Sequence, residues 1–162
     1  MRTENVAVAA LPNWVGIQVA RARPALLKAC HAAAMRGITI VQQTIAQTKP
    51  FAPVDRGSYR ASFRAERQPD GALLFSDAPH AAFIEYGTRP HWAPIGPLAE
   101  WVRRKRIARG AEVMAVARAI QLKIARRGTA PKKVVERSLR EVEKALDEEV
   151  ARALVEGVEG GR

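Results

Sequence analysis

The sequence offers few side chains that could perform chemistry. Its three histidines are His31, His80 and His91, and none of them has a second His or Cys at the close, regular spacing of a zinc site. Asp77 and Glu85 could act together in acid–base chemistry. Two carboxylates eight residues apart are nevertheless common in any fold, so this pair does not indicate an active site.

The serines, the glycines and the cysteine also lack a reactive context. Ser58 and Ser62 do not lie in a nucleophile elbow, and the sequence contains neither a phosphate-binding loop nor a dinucleotide fingerprint. The single cysteine, Cys30, has no partner for an internal disulfide, and we expect it to be a small buried apolar residue. We therefore predict that the protein is not an enzyme and that it needs no metal or cofactor.

Positive charge is concentrated in the middle of the chain. The 162 residues carry a net charge of +11, and residues 86–133 hold twelve Lys/Arg against two Asp/Glu. Residues 134–162 hold five against eight, so the end of the chain is acidic. The candidate contact residues form two basic clusters, Arg103, Arg104, Lys105, Arg106 and Arg109, followed by Arg126 and Arg127.

These clusters admit three interpretations. They could neutralise phosphates without reading a base sequence, because no helix-turn-helix or aromatic stacking platform accompanies them. They could instead form salt bridges to the acidic final helix of a neighbouring copy, in head-to-tail contacts that close into a ring. The plain alternative is a solvated face that keeps the protein soluble.

The apolar pattern predicts an α+β fold. Residues 24–47 repeat apolar side chains at helical spacing, after an arm or short helix at 13–23. Residues 58–67 alternate as a strand, residues 69–71 form a turn, and residues 72–76 return as a second strand. This small antiparallel hairpin must pack on the long N-terminal helix or on a neighbouring subunit, because a lone hairpin is marginal in water.

Further helices follow the hairpin. A short helix ends at Gly87, and an irregular loop flanked by the aromatics Tyr86 and Trp92 follows as a fixed hook or contact surface. New helices are expected from Pro97 and over 111–127. A long C-terminal helix over 131–155 carries a narrow apolar stripe, suited to one partner helix in the same chain or another: Val135, Leu139, Val142, Leu146, Val150 and Leu154. No apolar run reaches the roughly 20 residues of a membrane span.

We divide the chain into three parts on this basis. Residues 1–23 form an N-terminal arm or short helix, and residues 24–130 form an α+β core domain with a basic helical insertion. Residues 131–162 form the C-terminal helix and tail.

Two sequence boxes resemble a known family. Residues 53–62 (PVDRGSYRAS) are similar to the pattern P-V-D-T-G-x-L-R-x-S, and residues 80–88 (HAAFIEYGT) to Y-A-x-F-x-E-x-G-T. With the hairpin between them, and a Gly-Thr-x-Pro turn after residue 127, residues 25–140 resemble the small neck, head–tail joining or tail-completion proteins of tailed bacteriophages. The sequence departs from the boxes at Arg56 for Thr, Tyr59 for Leu and His80 for Tyr.

The resemblance implies a structural virion protein made in the bacterial host cytoplasm. Copies would form a six- or twelve-fold ring at the head–tail junction, together with portal, adaptor, neck or tail proteins and with non-specific contact to packaged DNA. The box residues would then be architectural: Asp55, Gly57, Glu85, Tyr86, Gly87 and Thr88. The alternative is a small basic accessory or regulatory protein that binds nucleic acid.

Overall fold

A computed structural model describes the backbone of residues 13–49, 53 and 55–159, with side chains at 22–49, 53 and 55–156. Its elements, in chain order, are α1 (Asn13–Gln47), α2 (Ser58–Ala61), β1 (Phe63–Gln68), β2 (Gly71–Ser76), α3 (Ala81–Tyr86), α4 (Ile95–Arg104), α5 (Glu112–Arg127) and α6 (Val134–Glu159). The long N-terminal helix packs on a two-stranded antiparallel sheet, and further helices follow, including the long C-terminal one. The predicted α+β class is therefore confirmed.

The chain forms two compact units, each assembled from separated stretches of sequence. The hairpin unit comprises residues 1–40, 64–75 and 139–162, and the clasp unit comprises residues 41–63 and 76–138.

In the hairpin unit, a glycine allows close packing against α1. A Cβ added at Gly37 would lie 2.8 Å from Leu74 Cδ2 and 3.5 Å from Val142 Cγ1. The helix accepts the roughly 1 kcal/mol cost of an interior glycine because β2 and α6 occupy the space of its side chain. Beside it, Arg36 donates to Glu148 at 2.8 Å and to Glu149 at 2.9 Å, which lowers the pKa of Glu148.

One hydrophobic cluster of the clasp unit lies between α4 and α5. Its buried members are small or β-branched: Ala99, Val102, Ala108, Val113 and Ala117. Larger side chains, including Trp101 and Ile120, pack around them. Small residues at the centre let the two helices approach closely, so the loop between them is held at both ends.

Three sequence predictions about element boundaries need correction. Residues 58–61 form the helical turn α2 rather than the start of a strand, because the chain turns at Gly57 (φ +83°) and Ala61 N–H bonds back to the Gly57 carbonyl at 2.9 Å. The predicted helix over 24–47 and the arm or short helix before it form one helix, which begins at Asn13 and contains Pro24. The last helix begins at Val134 rather than at residue 131. The predicted return strand and the helix ends at Gly87 and Gly128 are confirmed.

Candidate functional site

Two helix ends in the clasp unit meet where Gly87-Thr88 pairs with Gly128-Thr129, and this pairing is called the clasp. Gly87 and Thr88 follow α3, Gly128 and Thr129 follow α5, and the two threonines form an antiparallel bridge. A Cβ at Gly128 would lie 1.9 Å from the Thr88 carbonyl oxygen, and one at Gly87 would lie 2.3 Å from the Thr129 carbonyl oxygen. Both glycines have positive φ angles, so only glycine satisfies both the backbone angle and the close approach.

Glu85 connects this clasp to the start of α6. Its carboxylate accepts the backbone N–H of Val135 at 2.9 Å and of Glu136 at 3.0 Å. Its carbonyl accepts the N–H of Lys133 at 3.2 Å. The first N–H groups of a helix have no partner within the helix, and a carboxylate there also interacts favourably with the helix dipole. Glu85 is therefore a buried cap that arrives from elsewhere in the chain.

Asp55 binds one of the candidate contact arginines. Arg104 donates to Asp55 through Nη2 at 2.6 Å and Nε at 3.1 Å, and to Glu100 through Nη1 at 3.2 Å. This hydrogen-bonded arginine holds the pKa of Asp55 below its usual value. Arg104 consequently fixes the loop before α2 to the end of α4, so it has an architectural role in addition to its charge.

The remaining members of the first cluster surround a strained helix end. Arg106 N–H bonds to the Arg103 carbonyl and Ile107 N–H to the Val102 carbonyl, which is a Schellman ending with Arg106 at the position usually taken by glycine. Arg106 has φ +54°, a conformation that costs a non-glycine residue about 1–2 kcal/mol. Four basic side chains are exposed at this end: Arg103, Lys105, Arg106 and Arg109.

The structure separates the two basic clusters. The first cluster precedes α5, and the second cluster, Arg126 and Arg127, lies in the last turn of α5. The two clusters therefore lie at opposite ends of a helix about 22 Å long. Basic residues at a helix C-terminus also stabilise the helix itself. The charge therefore extends along one helix rather than forming a single pocket.

Exposed aromatic residues lie beside the clasp. Tyr86 is 79% exposed and Trp92 is 65% exposed, although both belong to backbone that is fixed by hydrogen bonds. His91 N–H bonds to the Ile124 carbonyl at 3.4 Å, and Gln121 donates to the Ala93 carbonyl at 2.7 Å. Large aromatics that extend into solvent from a fixed backbone are suited to binding a partner.

A groove of about 660 Å³ opens within the clasp unit. Tyr59 lines it and packs edge-on against Phe63, with ring centroids 5.3 Å apart. Burial, and secondarily the charge of Glu85, raises the pKa of Tyr59 to about 12. The charged residues that line the groove are of both signs, Asp55, Lys123 and Lys132.

Sequence reasoning missed several of these features. It found no role for Arg118, which lines a second groove with Trp92 and Leu122. It also placed the apolar stripe of α6 against a partner without indicating which face the rest of the chain covers. The sequence signal that could have identified the role of Arg118 is its helical spacing from apolar residues of α5, since Met114, Arg118 and Leu122 are each four residues apart.

Comparison with protein-family models, with curated proteins and with solved structures returned no match. Within residues 13–49, 53 and 55–159, no helix is both long and apolar enough to cross a membrane. In the same part of the chain, no three His, Cys, Asp or Glu side chains are grouped so that they could hold a metal ion.

Proposed function

We propose that the protein is a structural component of a tailed-phage virion and forms a ring in the neck, where the DNA-filled head joins the tail. The observation that carries this proposal is the contrast among the motif residues of the clasp unit. Most of them hold the backbone in place, whereas Tyr86 is largely exposed. The residues that hold the backbone are Asp55, Gly57, Glu85, Gly87 and Thr88. A rigid frame with aromatic and basic side chains outside it fits a protein that works by contacting neighbours.

The ring would bring basic side chains to two kinds of protein partner and to DNA. The partners are further copies in six- or twelve-fold symmetry, and portal, adaptor or tail proteins in the adjacent layers. The exposed arginines before α5 are also suited to packaged DNA, through phosphate contacts that carry no sequence preference.

Backbone strain supports a functional charge at the end of α4. Arg106 keeps a cation at a position where glycine would be more stable. Strained residues that a sequence retains are concentrated at sites of function. We therefore place Arg106 in the contact surface of the proposed ring.

Electron microscopy of particles from the producing phage tests the proposal. We expect a ring of this protein between head and tail, identified by labelling or by fitting the clasp unit into density. Particles that lack the protein, together with a free monomer or dimer in the infected cell, would contradict it.

A charge-reversal variant tests the role of the first cluster. We expect Arg103→Glu with Arg109→Glu to fold normally, because both side chains are exposed, but to reduce the yield of complete particles at least tenfold. Arg104 is left unchanged because it binds Asp55. The control reverses equal charge at the exposed residues Lys28 and Arg67; equal yields from the two variants would remove the cluster from the proposal.

A nucleic-acid-binding accessory protein is the second candidate. The exposed arginines at both ends of α5 favour it, because they could span several phosphates. Such a protein would bind duplex DNA as a monomer or dimer, with an affinity that falls steeply as salt rises. The ring component would bind free DNA weakly and would be found in particles.

A further inference from the structure

The last helix exposes apolar side chains next to the face that the chain covers. In α6 the buried positions are Val134, Ser138, Ala145 and Glu149. Leu139 remains 48% exposed, and Leu146 and Leu154 are also exposed. Leu139 and Leu146 are seven residues apart, so they lie on one side of the helix about 10 Å from each other. They form an apolar ridge, defined here as Leu139, Leu146, Val150 and Leu154.

Acidic side chains border this apolar ridge. Glu143 follows Leu139 by four residues and Asp147 follows Glu143 by four, so both lie along the same edge of the leucines. Within the described part of the chain, neither Glu143 nor Asp147 forms a salt bridge. The other acidic residues nearby are engaged, since Glu148 and Glu149 bind Arg36. The ridge therefore presents leucines with two unpaired negative charges.

The outer face of α5 has the opposite character. Met114 and Leu122 are exposed there, 46% and 40%, and Arg118 lies between them at helical spacing. Trp92 and Leu122 line a groove of about 410 Å³, and Arg118 lies at its wall. Among the residues that the structure describes, Arg118 has no acidic partner. This α5 face therefore offers an apolar groove with one unpaired positive charge.

We infer that the apolar ridge of α6 in one copy docks on the α5 face of the next copy. Leu146 would enter the groove beside Trp92 and Leu122, and Asp147 or Glu143 would bind Arg118. The two surfaces are complementary, because both are apolar and their unpaired charges are opposite in sign. Their lengths also match, since Leu139 to Leu146 spans about 10 Å and Met114 to Leu122 about 12 Å along the helix axes.

The pairing explains how one chain could build a ring. Its two surfaces are different, so the contact is head-to-tail and leaves one free surface of each kind on every dimer. Addition then continues until the rotation closes the ring. This inference rests on the proposed ring and specifies its interface, which the resemblance alone does not provide.

Engineered disulfides test the pairing directly. In a Cys30→Ser background the chain has no other cysteine, so Leu122→Cys and Leu146→Cys can be made separately and together. We expect a mixture of the two single variants to form heterodimers under mild oxidation, and the double variant to form a ladder that ends at the copy number of the ring. Each single variant alone should stay monomeric on a non-reducing gel.

The other outcomes identify what is wrong. Covalent dimers of Leu146→Cys alone would show symmetric pairing of α6 and would overturn the inference. Rings seen by microscopy without any disulfide between the two positions would overturn this interface and leave the proposed function standing. A protein that is monomeric and uncrosslinked at all concentrations, and absent from particles, would contradict both.

A charge swap provides an independent test. We expect Arg118→Glu, and separately Asp147→Arg with Glu143→Arg, to weaken self-association at least tenfold in sedimentation experiments. Mixing these two variants should restore self-association through alternating contacts. The native carboxylates of the first variant meet the native Arg118 of the second, and the exchanged charges meet each other with opposite sign. Arg67→Glu is the matched control for Arg118→Glu, because it changes the net charge by the same amount without touching either surface. A similar loss in that control would refute the pairing.

Discussion

Removing the Glu85 carboxylate tests how the clasp unit is held together. Glu85 is only 8% exposed, and its two oxygens accept the N–H groups of Val135 and Glu136 at 2.9 and 3.0 Å. Glu85→Ala leaves both donors at the start of α6 without a protein partner. Glu85→Gln keeps one acceptor oxygen of similar shape, so the two variants form a graded pair.

The expected magnitude follows from these contacts. A hydrogen bond to a charged group contributes about 1.5–3 kcal/mol, and a carboxylate near a helix N-terminus adds about 0.3–1 kcal/mol through the dipole. Water reaches the freed N–H groups once the side chain is gone, which recovers part of the loss. We therefore expect Glu85→Ala to lower the free energy of unfolding by about 2–4 kcal/mol and Glu85→Gln by about 1–2 kcal/mol.

Two assays measure this effect. Chemical denaturation at neutral pH, followed by circular dichroism, gives the free energy of unfolding. Amide hydrogen exchange of Val135 and Glu136 should accelerate in Glu85→Ala before global stability is lost. The control is Glu141→Ala on the exposed side of α6, expected to change stability by less than about 0.5 kcal/mol. If Glu85→Ala matched this control in both assays, the capping argument would be wrong.

Three further predictions concern strain and charge. Arg106→Gly should raise the free energy of unfolding by about 1 kcal/mol, because it relieves the positive φ, whereas Arg106→Ala should not; denaturation midpoints decide this, and equal midpoints would contradict the strain. The lowered pKa of Asp55 means that its pairing with Arg104 stabilises the fold above about pH 4 and that this stabilisation is lost on acidification. Asp55→Asn should therefore reduce the dependence of the free energy of unfolding on pH in the acid range. The same acid dependence in this variant and in the unaltered protein would argue against the pair. Tyr86→Phe leaves Tyr59 as the only tyrosine, so the tyrosine absorbance of this variant should change near pH 12. Because the pKa of Tyr59 is raised, the stability that the neutral phenol contributes is lost as pH rises from about 10 to 12. An absorbance change near pH 10 would show that the phenol ring is not buried.

The candidate site could be predicted only in part. The sequence located the basic clusters and Trp92, because charge and aromatic content are local properties. It could not show that Arg104 binds Asp55, 49 residues away, or that the two clusters are at opposite ends of α5. These facts depend on which side chains the fold brings together, and no spacing along the chain encodes them directly.

The sequence by itself determined the class of fold and most helix ends. Glycine is the residue that tolerates a positive φ, so Gly87 and Gly128 marked their stops, and the turn at residues 69–71 marked the hairpin. Only the tertiary structure shows the second reason for glycine at these positions. Each glycine faces the backbone carbonyl of the other segment, so a side chain would not fit. The tertiary structure also decided which side of α6 is buried: the periodic stripe was visible in the sequence, but contacts from distant residues cover the adjacent face and leave the leucines exposed. Periodicity is a local property of a helix, whereas burial is set by what packs against it.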